Sequence, residues 1–154
     1  MSAQQNDKTP HVVVHGSVRS FRQEIVIGKH SLIADEPGSA GGGDAGPGPY
    51  DYLLTALGAC TSMTVGLHAR RKQMPLEEIT VSLWHSRIYA RDCEECETRE
   101  GMLDRIELEL EMTGSLTAEQ RAKLMEIAGK CPVHRTLTSE INIRLQPAHK
   151  SSPS

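Results

Sequence analysis

Aromatic residues are scarce in this sequence. They make up 3% of the 154 residues, so leucine, isoleucine, valine and methionine must form the core. Proteins that bind single-stranded nucleic acids stack bases on aromatic side chains, and this chain has few to offer. Basic clusters are also short, since the longest is ARRK at 69–72 and the net charge is −3. Because binding to a phosphate backbone requires clustered lysine and arginine, we expect no nucleic-acid partner.

Long apolar runs are missing as well. No stretch approaches the roughly 20 apolar residues that cross a bilayer, and the N-terminal MSAQQNDKTP lacks the apolar region of a signal peptide. We therefore expect no membrane association and a cytoplasmic location, where reducing conditions disfavour a permanent disulfide framework. The 4 cysteines then indicate metal binding, redox chemistry or packing.

The length suits one domain, which we expect at residues 11–147. The polar ends, 1–10 and 148–154, are expected to be flexible tails. A stretch rich in glycine and proline at 36–51 predicts a long loop that leads into a helix. Apolar residues that alternate with polar ones predict strands at 11–16, 22–28, 30–36, 76–90, 104–114 and 140–146. A tight turn at Gly28 and Lys29 is expected to join the strands at 22–28 and 30–36. The strands at 76–90 and 104–114 are expected to pair as a hairpin.

Three helices are predicted between these strands, at 49–73, 115–130 and 132–139. The first begins at a proline and carries an apolar stripe made of Leu53, Leu57, Cys60, Thr64 and Leu67. The second is expected to begin with a capping box formed by Thr117 and Gln120. The blocks of strands and helices indicate an α+β fold with mainly antiparallel sheets. A helix of about 24 residues is about 36 Å long, which exceeds what a small domain covers by itself and favours a homodimer.

Two cysteines in these helices allow two interpretations each. Cys60 is a small apolar filler of the core, or it is a thiolate nucleophile that needs an electropositive partner. Cys131 closes the apolar face of the preceding helix, or it is a reactive thiol. It stands directly before Pro132 at the start of a helix, where the amide dipoles are expected to lower the pKa of its thiol.

The segment CEEC places Cys93 and Cys96 in one loop. Two sulfurs at this spacing are half of a zinc site, and the spacing also fits a redox dithiol. A second CxxC pair is absent from the sequence, and the flanking acidic residues raise thiol pKa values. We therefore interpret the pair first as loop thiols, unpaired or occasionally bridged, second as an adventitious metal site and third as a specific zinc site.

Two segments together resemble the OsmC/Ohr family over residues 12–146. They are GPGPYDYLLTALGACTSMT, which opens the long helix, and KCPVHRTL at 130–137, which precedes the last predicted strand. ADEP at 34–37 and CEEC at 93–96 place the chain nearest to a branch of that family with such segments. The resemblance implies an OsmC-like fold: an intertwined homodimer with central long helices and active sites at the subunit interface. It also implies a thiol peroxidase acting on organic hydroperoxides without a cofactor.

The resemblance assigns roles to individual residues. Cys60 matches the peroxidatic cysteine and Cys131 the resolving cysteine. The family adds an arginine from the early strands, which is Arg22 or Arg19 here, and Arg22 is preferred because it enters a clear strand. The family also adds a glutamate after the proline of the long helix. This chain has Tyr50 at that position, so Asp51 is the nearest acid.

The resemblance further implies a dithiol reductant of the lipoyl type. Three hypotheses follow for the function. The first is hydroperoxide reduction through a disulfide between Cys60 and Cys131, in defence against oxidative stress. The second, motivated by Tyr50, is a redox-sensing or small apolar ligand-binding protein on the same scaffold with little peroxidase activity. The third is a metal-dependent role through Cys93 and Cys96.

Overall fold

The computed structural model describes residues 9–149. The strands are β1 Val13–Gly16, β2 Gln23–Ile27, β3 His30–Ala34, β4 Leu76–Tyr89 and β5 Met102–Gly114. The helices are α1 Pro49–Arg71, α2 Ala118–Ala128 and α3 Pro132–Leu137. The predicted α+β class, with antiparallel sheets and one long helix, is confirmed. The tails expected at 1–10 and 148–154 lie mostly outside the described residues.

Contacts divide the chain into two units. The first unit contains the described residues up to Thr55 together with His85–Arg105. The second contains Ala56–Trp84 together with the described residues from Ile106 onwards. Within residues 9–149, no helix is both long enough and apolar enough to span a membrane.

The first unit contains an antiparallel sheet in the order β1-β2-β3. In its register, Ile25 of β2 pairs with Val14 of β1 and with Leu32 of β3. Strands β2 and β3 are joined by a two-residue turn in which Gly28 has φ +58°. Two-residue hairpin turns require such a left-handed conformation, which glycine adopts without steric cost. The predicted tight turn between these strands is therefore confirmed.

The second unit contains the main apolar core, which α1 and α2 form with β5. Its buried members are Val65, Ala69, Met112, Leu124 and Ala128. Helix α2 begins as predicted, because Thr117 and Gln120 form a complete capping box. The Gln120 amide donates to the Thr117 hydroxyl at 3.1 Å, and the Thr117 amide donates to the Gln120 side chain at 2.9 Å. These bonds satisfy amides that a helix start leaves without partners.

Strands β4 and β5 form a two-stranded sheet, as the predicted hairpin requires. The loop between them is closed at its base by the Ala90 amide, which donates to the Gly101 carbonyl at 2.8 Å.

The prediction of a strand at 140–146 is wrong. Residues 140–149 belong to no helix or strand, and Ile141, Ile143 and Leu145 are 48%, 85% and 100% exposed. Their alternation gives the segment one apolar face, but a strand exists only when a neighbouring strand completes its hydrogen bonds. The segment has no such neighbour among the described residues.

The apolar stripe predicted on the long helix is also displaced. Leu57 is buried as expected, but Cys60 is only half-buried and Leu67 is 39% exposed. The buried positions of α1 in the second unit run along Leu57, Thr61, Val65 and Ala69, with Gly58 beside them. The spacing of apolar residues by three and four positions therefore predicted the helix correctly. It predicted the wrong buried face, because the buried residues of α1 recur every four positions.

Candidate active site

Cys131 is positioned by the start of α3. It is the N-cap residue with extended backbone, and Pro132 fixes the first helical position. The His134 amide donates to the Cys131 Sγ at 3.3 Å, so the thiol takes the place that a serine or aspartate oxygen usually fills. The side chain is fully buried. The prediction that Cys131 caps a short helix is therefore confirmed.

The electrostatic surroundings of Cys131 favour its thiolate. Burial raises the pKa of the thiol, because a charged sulfur is poorly solvated in the interior. The His134 amide, the Thr61 hydroxyl and the Cys60 side chain act in the opposite direction through hydrogen bonds. Their combined effect outweighs burial and holds the pKa of Cys131 below its ordinary value.

Thr61 joins α1 to this thiol. Its Oγ1 lies 3.6 Å from the Cys131 Sγ and donates to the Leu57 carbonyl at 2.8 Å. A hydroxyl has one hydrogen, so while that hydrogen points to Leu57, the Cys131 thiol must be the donor of the second contact. Once Cys131 is ionised, the hydroxyl can turn and donate to the sulfur. Nothing in the sequence pattern indicated a role for Thr61, although it directly follows Cys60.

Cys60 lies next to this pair. It is half-buried, and its sulfur, like that of Cys131, is free. Its side chain is one of the hydrogen-bonding groups that lower the pKa of Cys131. The fold thus brings together two thiols that are far apart in the sequence, and only Cys60 retains access to solvent. Two adjacent free thiols of this kind can form a disulfide when one of them is oxidised.

The other site residues suggested by the resemblance belong to the first unit. Arg22 is exposed and helps to lower the pKa of Asp35 by its charge. Arg19 lies in a turn, where its amide donates to the Ser17 hydroxyl at 3.3 Å. The Asp51 Oδ2 accepts a hydrogen bond of 2.9 Å from the Gly48 amide. Asp51 therefore stabilises the start of its own helix, as carboxylates at this position commonly do.

Asp35 organises the glycine-rich loop. Its side chain is buried, since the residue is 4% exposed. Its carboxylate accepts hydrogen bonds from the amides of Glu36, Gly43 and Ala45 at 2.8, 3.2 and 3.1 Å. The Ala45 and Glu36 amides contribute most to a pKa held below the ordinary range, against a smaller opposing effect of burial.

Tyr50, at the position where the resemblance implies a glutamate, stacks on a histidine. The rings of Tyr50 and His85 have centroids 4.4 Å apart and planes 16° apart. The His85 Nε2 lies 2.9 Å from the Asp104 Oδ1, and Arg87 lies 3.7 Å from the same oxygen. The residue at the position where the family resemblance implies an acid thus contacts an imidazole that is paired with a carboxylate. Sequence spacing gave no signal for this pairing.

Cys93 and Cys96 form a disulfide in the loop between β4 and β5, with Cα atoms 5.4 Å apart. The bridged form is one of the alternatives that the sequence left open. In this state the two sulfurs are not available as thiolate ligands for a metal. Within residues 9–149, no group of three or more His, Cys, Asp or Glu residues is arranged to hold a metal ion.

The first unit also contains an apolar cavity of about 370 Å³. Apolar side chains of β1, β2 and β3 line it together with Pro49 and Tyr52 at the start of α1. The Tyr52 hydroxyl donates to the Ile33 carbonyl at 2.6 Å, so its polar end is satisfied and its ring remains in the lining.

Comparison with protein families and known structures gives a consistent result. The model of the OsmC-like protein family matches residues 41–146. An OsmC-like protein from Mycoplasma pneumoniae is 22% identical, with coverage of 93% of this chain and 99% of the other and a TM-score of 0.67. The comparison with curated proteins gave no match.

Two further solved structures are described as hydroperoxide resistance proteins. That of OsmC from Legionella pneumophila is 21% identical, covers 85% of this chain and 90% of the other, and has a TM-score of 0.61. That of OhrB from Bacillus subtilis is 17% identical, covers 90% and 97%, and has a TM-score of 0.59. At these identities the similarity establishes the fold alone.

Proposed function

Because the chain belongs to the OsmC-like protein family, we propose that it is a thiol-dependent peroxidase that reduces organic hydroperoxides to alcohols. The observation that carries the proposal is the pair of free thiols, Cys60 and Cys131, with unequal burial and a lowered pKa at Cys131. The solved hydroperoxide resistance proteins with this fold support the same role in defence against oxidative stress. We place the reaction in the cytoplasm, where thiol reductants keep such pairs reduced.

The unequal burial supports an assignment of the two steps of the reaction. A hydroperoxide must reach the sulfur that attacks it, and Cys60 is half-buried whereas Cys131 is fully buried. The Cys60 thiolate attacks the O–O bond, takes one oxygen to become a sulfenic acid and releases the alkoxide, which is protonated to the alcohol. The Cys131 thiolate then attacks the sulfenic sulfur, and the disulfide forms as hydroxide leaves.

The lowered pKa of Cys131 suits this second step. Attack on a sulfenic acid requires a thiolate, and the His134 amide and the Thr61 hydroxyl stabilise that form. An external dithiol, which we propose to be of the lipoyl type, then reduces the disulfide by exchange. No cofactor is needed for the cycle.

The activation of Cys60 requires positive charge, which we assign to Arg22, with Arg19 as the alternative. A guanidinium group stabilises both a thiolate and a departing alkoxide. Asp51 is the proposed acid that orients this arginine in place of the family's glutamate. One Asp51 oxygen accepts the Gly48 amide, so the other oxygen has to serve this role. Replacing each arginine in turn by glutamine removes the positive charge, so turnover should fall in the Arg22→Gln variant if Arg22 has this role and in the Arg19→Gln variant if Arg19 has it.

We also propose that the protein is a homodimer in which each chain covers apolar surface of the other. The segment 140–146 has an apolar face without a neighbour among the described residues. The Ile143→Asp substitution places a charge on that face without disturbing described contacts. Sedimentation analysis should then show a shift from dimer towards monomer, with Arg144→Asp as a control for charge alone. A wild-type monomer would contradict this proposal.

The experiment that tests the function is consumption of an alkyl hydroperoxide with dihydrolipoamide as reductant. Wild type should turn over, and Cys60→Ser should lose turnover entirely. Cys131→Ser should complete one reduction and then accumulate over-oxidised Cys60, which mass spectrometry detects. A variant with both Cys93 and Cys96 replaced by serine is the matched control and should retain turnover.

A second candidate function is redox sensing or binding of a small apolar ligand. The apolar cavity of the first unit and the stacking of Tyr50 on His85 favour it. Negligible turnover with several hydroperoxides, together with reversible oxidation of Cys60 and Cys131, would support this candidate over the peroxidase.

A further inference from the structure

The loop between β4 and β5 carries a second pair of cysteines that the proposed peroxidase does not use. Cys93 and Cys96 form a disulfide there, while Cys60 and Cys131 of the second unit are free. The bridge spans only the two exposed residues Glu94 and Glu95. It therefore closes a small ring at the loop surface instead of joining distant parts of the chain.

The two sulfurs of this disulfide differ in accessibility. Cys93 is 3% exposed, and its amide donates to the carbonyl of the fully buried Ala90 at 3.1 Å. Cys96 is half-buried at the loop surface. Thiol–disulfide exchange begins when an incoming thiolate attacks one sulfur, and access decides which one. The accessible target is Cys96, which leaves Cys93 as the departing sulfur.

The charge of the loop restricts which thiolates can approach. Its exposed side chains include five carboxylates and two guanidinium groups, a net charge of −3 over residues 90–101. These residues are Arg91, Asp92, Glu94, Glu95, Glu97, Arg99 and Glu100. An attacking thiolate is itself negative, so the loop repels it unless the same molecule carries a positive group. A second carboxylate on the attacking molecule increases the repulsion.

We propose that Cys93–Cys96 is a second thiol–disulfide exchange site, with Cys96 as the attacked sulfur, which accepts small aminothiols in preference to thiols that carry carboxylates. This site goes beyond the peroxidase function and does not depend on it.

The chemistry is a two-electron reduction of the loop disulfide. The aminothiol thiolate forms a bond to the Cys96 Sγ, the bond between Cys93 and Cys96 breaks, and Cys93 departs with the electron pair and takes up a proton. A second aminothiol thiolate attacks the outer sulfur of the mixed disulfide and releases Cys96. Two aminothiols are oxidised to one disulfide, and the loop gains two thiols.

The charge selectivity is tested in a Cys60→Ser/Cys131→Ser protein, in which only the loop pair reacts. Its disulfide is reduced in separate experiments by cysteamine, mercaptoethanol and mercaptopropionate. The rate constant for each thiol is calculated per thiolate and divided by the rate constant for the same thiol with the uncharged reference hydroxyethyl disulfide. The normalised rate should fall by about three- to tenfold from cysteamine to mercaptoethanol, and again from mercaptoethanol to mercaptopropionate, at low salt. The differences should shrink at high salt, because screening acts over about 10 Å or less.

A Glu94→Gln/Glu95→Gln variant of the same protein is the matched control. It keeps side-chain size at two exposed positions, and it should narrow the spread of normalised rates at low salt. Equal normalised rates for the three thiols at low salt, or a spread that the control leaves unchanged, would overturn the selectivity.

The assignment of Cys96 is tested with Cys93→Ser and Cys96→Ser variants and the disulfide cystamine. Free Cys96 should form the mixed disulfide at least about tenfold faster than free Cys93, as measured by peptide mass spectrometry. Equal rates would overturn the assignment. Measuring the same reaction in denaturant shows whether any difference comes from the fold, since both cysteines are then equally accessible.

Discussion

Replacing Thr61 by valine removes the hydroxyl that contacts Cys131 and keeps the branched shape of the side chain. A hydrogen bond to a charged group contributes about 1.5–3 kcal/mol. The 3.6 Å distance between Thr61 Oγ1 and Cys131 Sγ is long, and the hydroxyl must release the Leu57 carbonyl to donate to the sulfur. The lower end of that range, about 1.5 kcal/mol, is therefore an upper limit. It corresponds to a thiolate fraction of Cys131 that falls by at most roughly tenfold at a pH below its pKa.

The consequence is specific to the second step of the proposed reaction. Thr61 favours the ionised form of Cys131, so its loss raises the pKa of that thiol. The rate of disulfide formation, which increases with pH as Cys131 ionises, should then increase only at a higher pH. Stopped-flow oxidation with one equivalent of hydroperoxide measures this step, and the rate of Cys60 oxidation should change little. Thr61→Ser, which keeps the hydroxyl, is the control. An unchanged pH profile in Thr61→Val would refute the role of this hydroxyl.

Three further predictions concern stability. Asp35→Asn should lower Tm at neutral pH, and the difference from wild type should disappear as the pH falls through the pKa of Asp35. The reason is that a carboxyl whose folded pKa is depressed stabilises the fold only while ionised; a difference that persists in acid would contradict it. Thr117→Ala should cost about 1 kcal/mol of unfolding free energy in urea denaturation, and Thr117→Ser much less. Leu124→Ala should lower the free energy of unfolding by about 2–5 kcal/mol, because the side chain is fully buried. A loss below about 1 kcal/mol would disprove its place in the core.

Features that depend on neighbouring residues could be predicted from the sequence. The capping box of Thr117 and Gln120 and the N-cap position of Cys131 before Pro132 are local, and both are confirmed. The turn at Gly28 is local as well, because a two-residue connection between strands requires a positive φ.

Features that depend on distant residues could not be predicted in the same way. The position of Asp35 is decided by amides of Gly43 and Ala45, which converge only when the loop folds. The strand at 140–146 failed because alternation describes one face and cannot supply a neighbouring strand. The proximity of Cys60 and Cys131 had no basis in spacing and came to attention only through the family resemblance.

The central claim is that Cys60 carries the peroxidase chemistry, and the most direct test is hydroperoxide consumption by Cys60→Ser. With dihydrolipoamide and an alkyl hydroperoxide, wild type should turn over and Cys60→Ser should show only the uncatalysed background rate. The serine variant should fold normally, since the substitution exchanges one small atom at a half-buried position. Hydroperoxide consumption at the wild-type rate by Cys60→Ser would contradict the account.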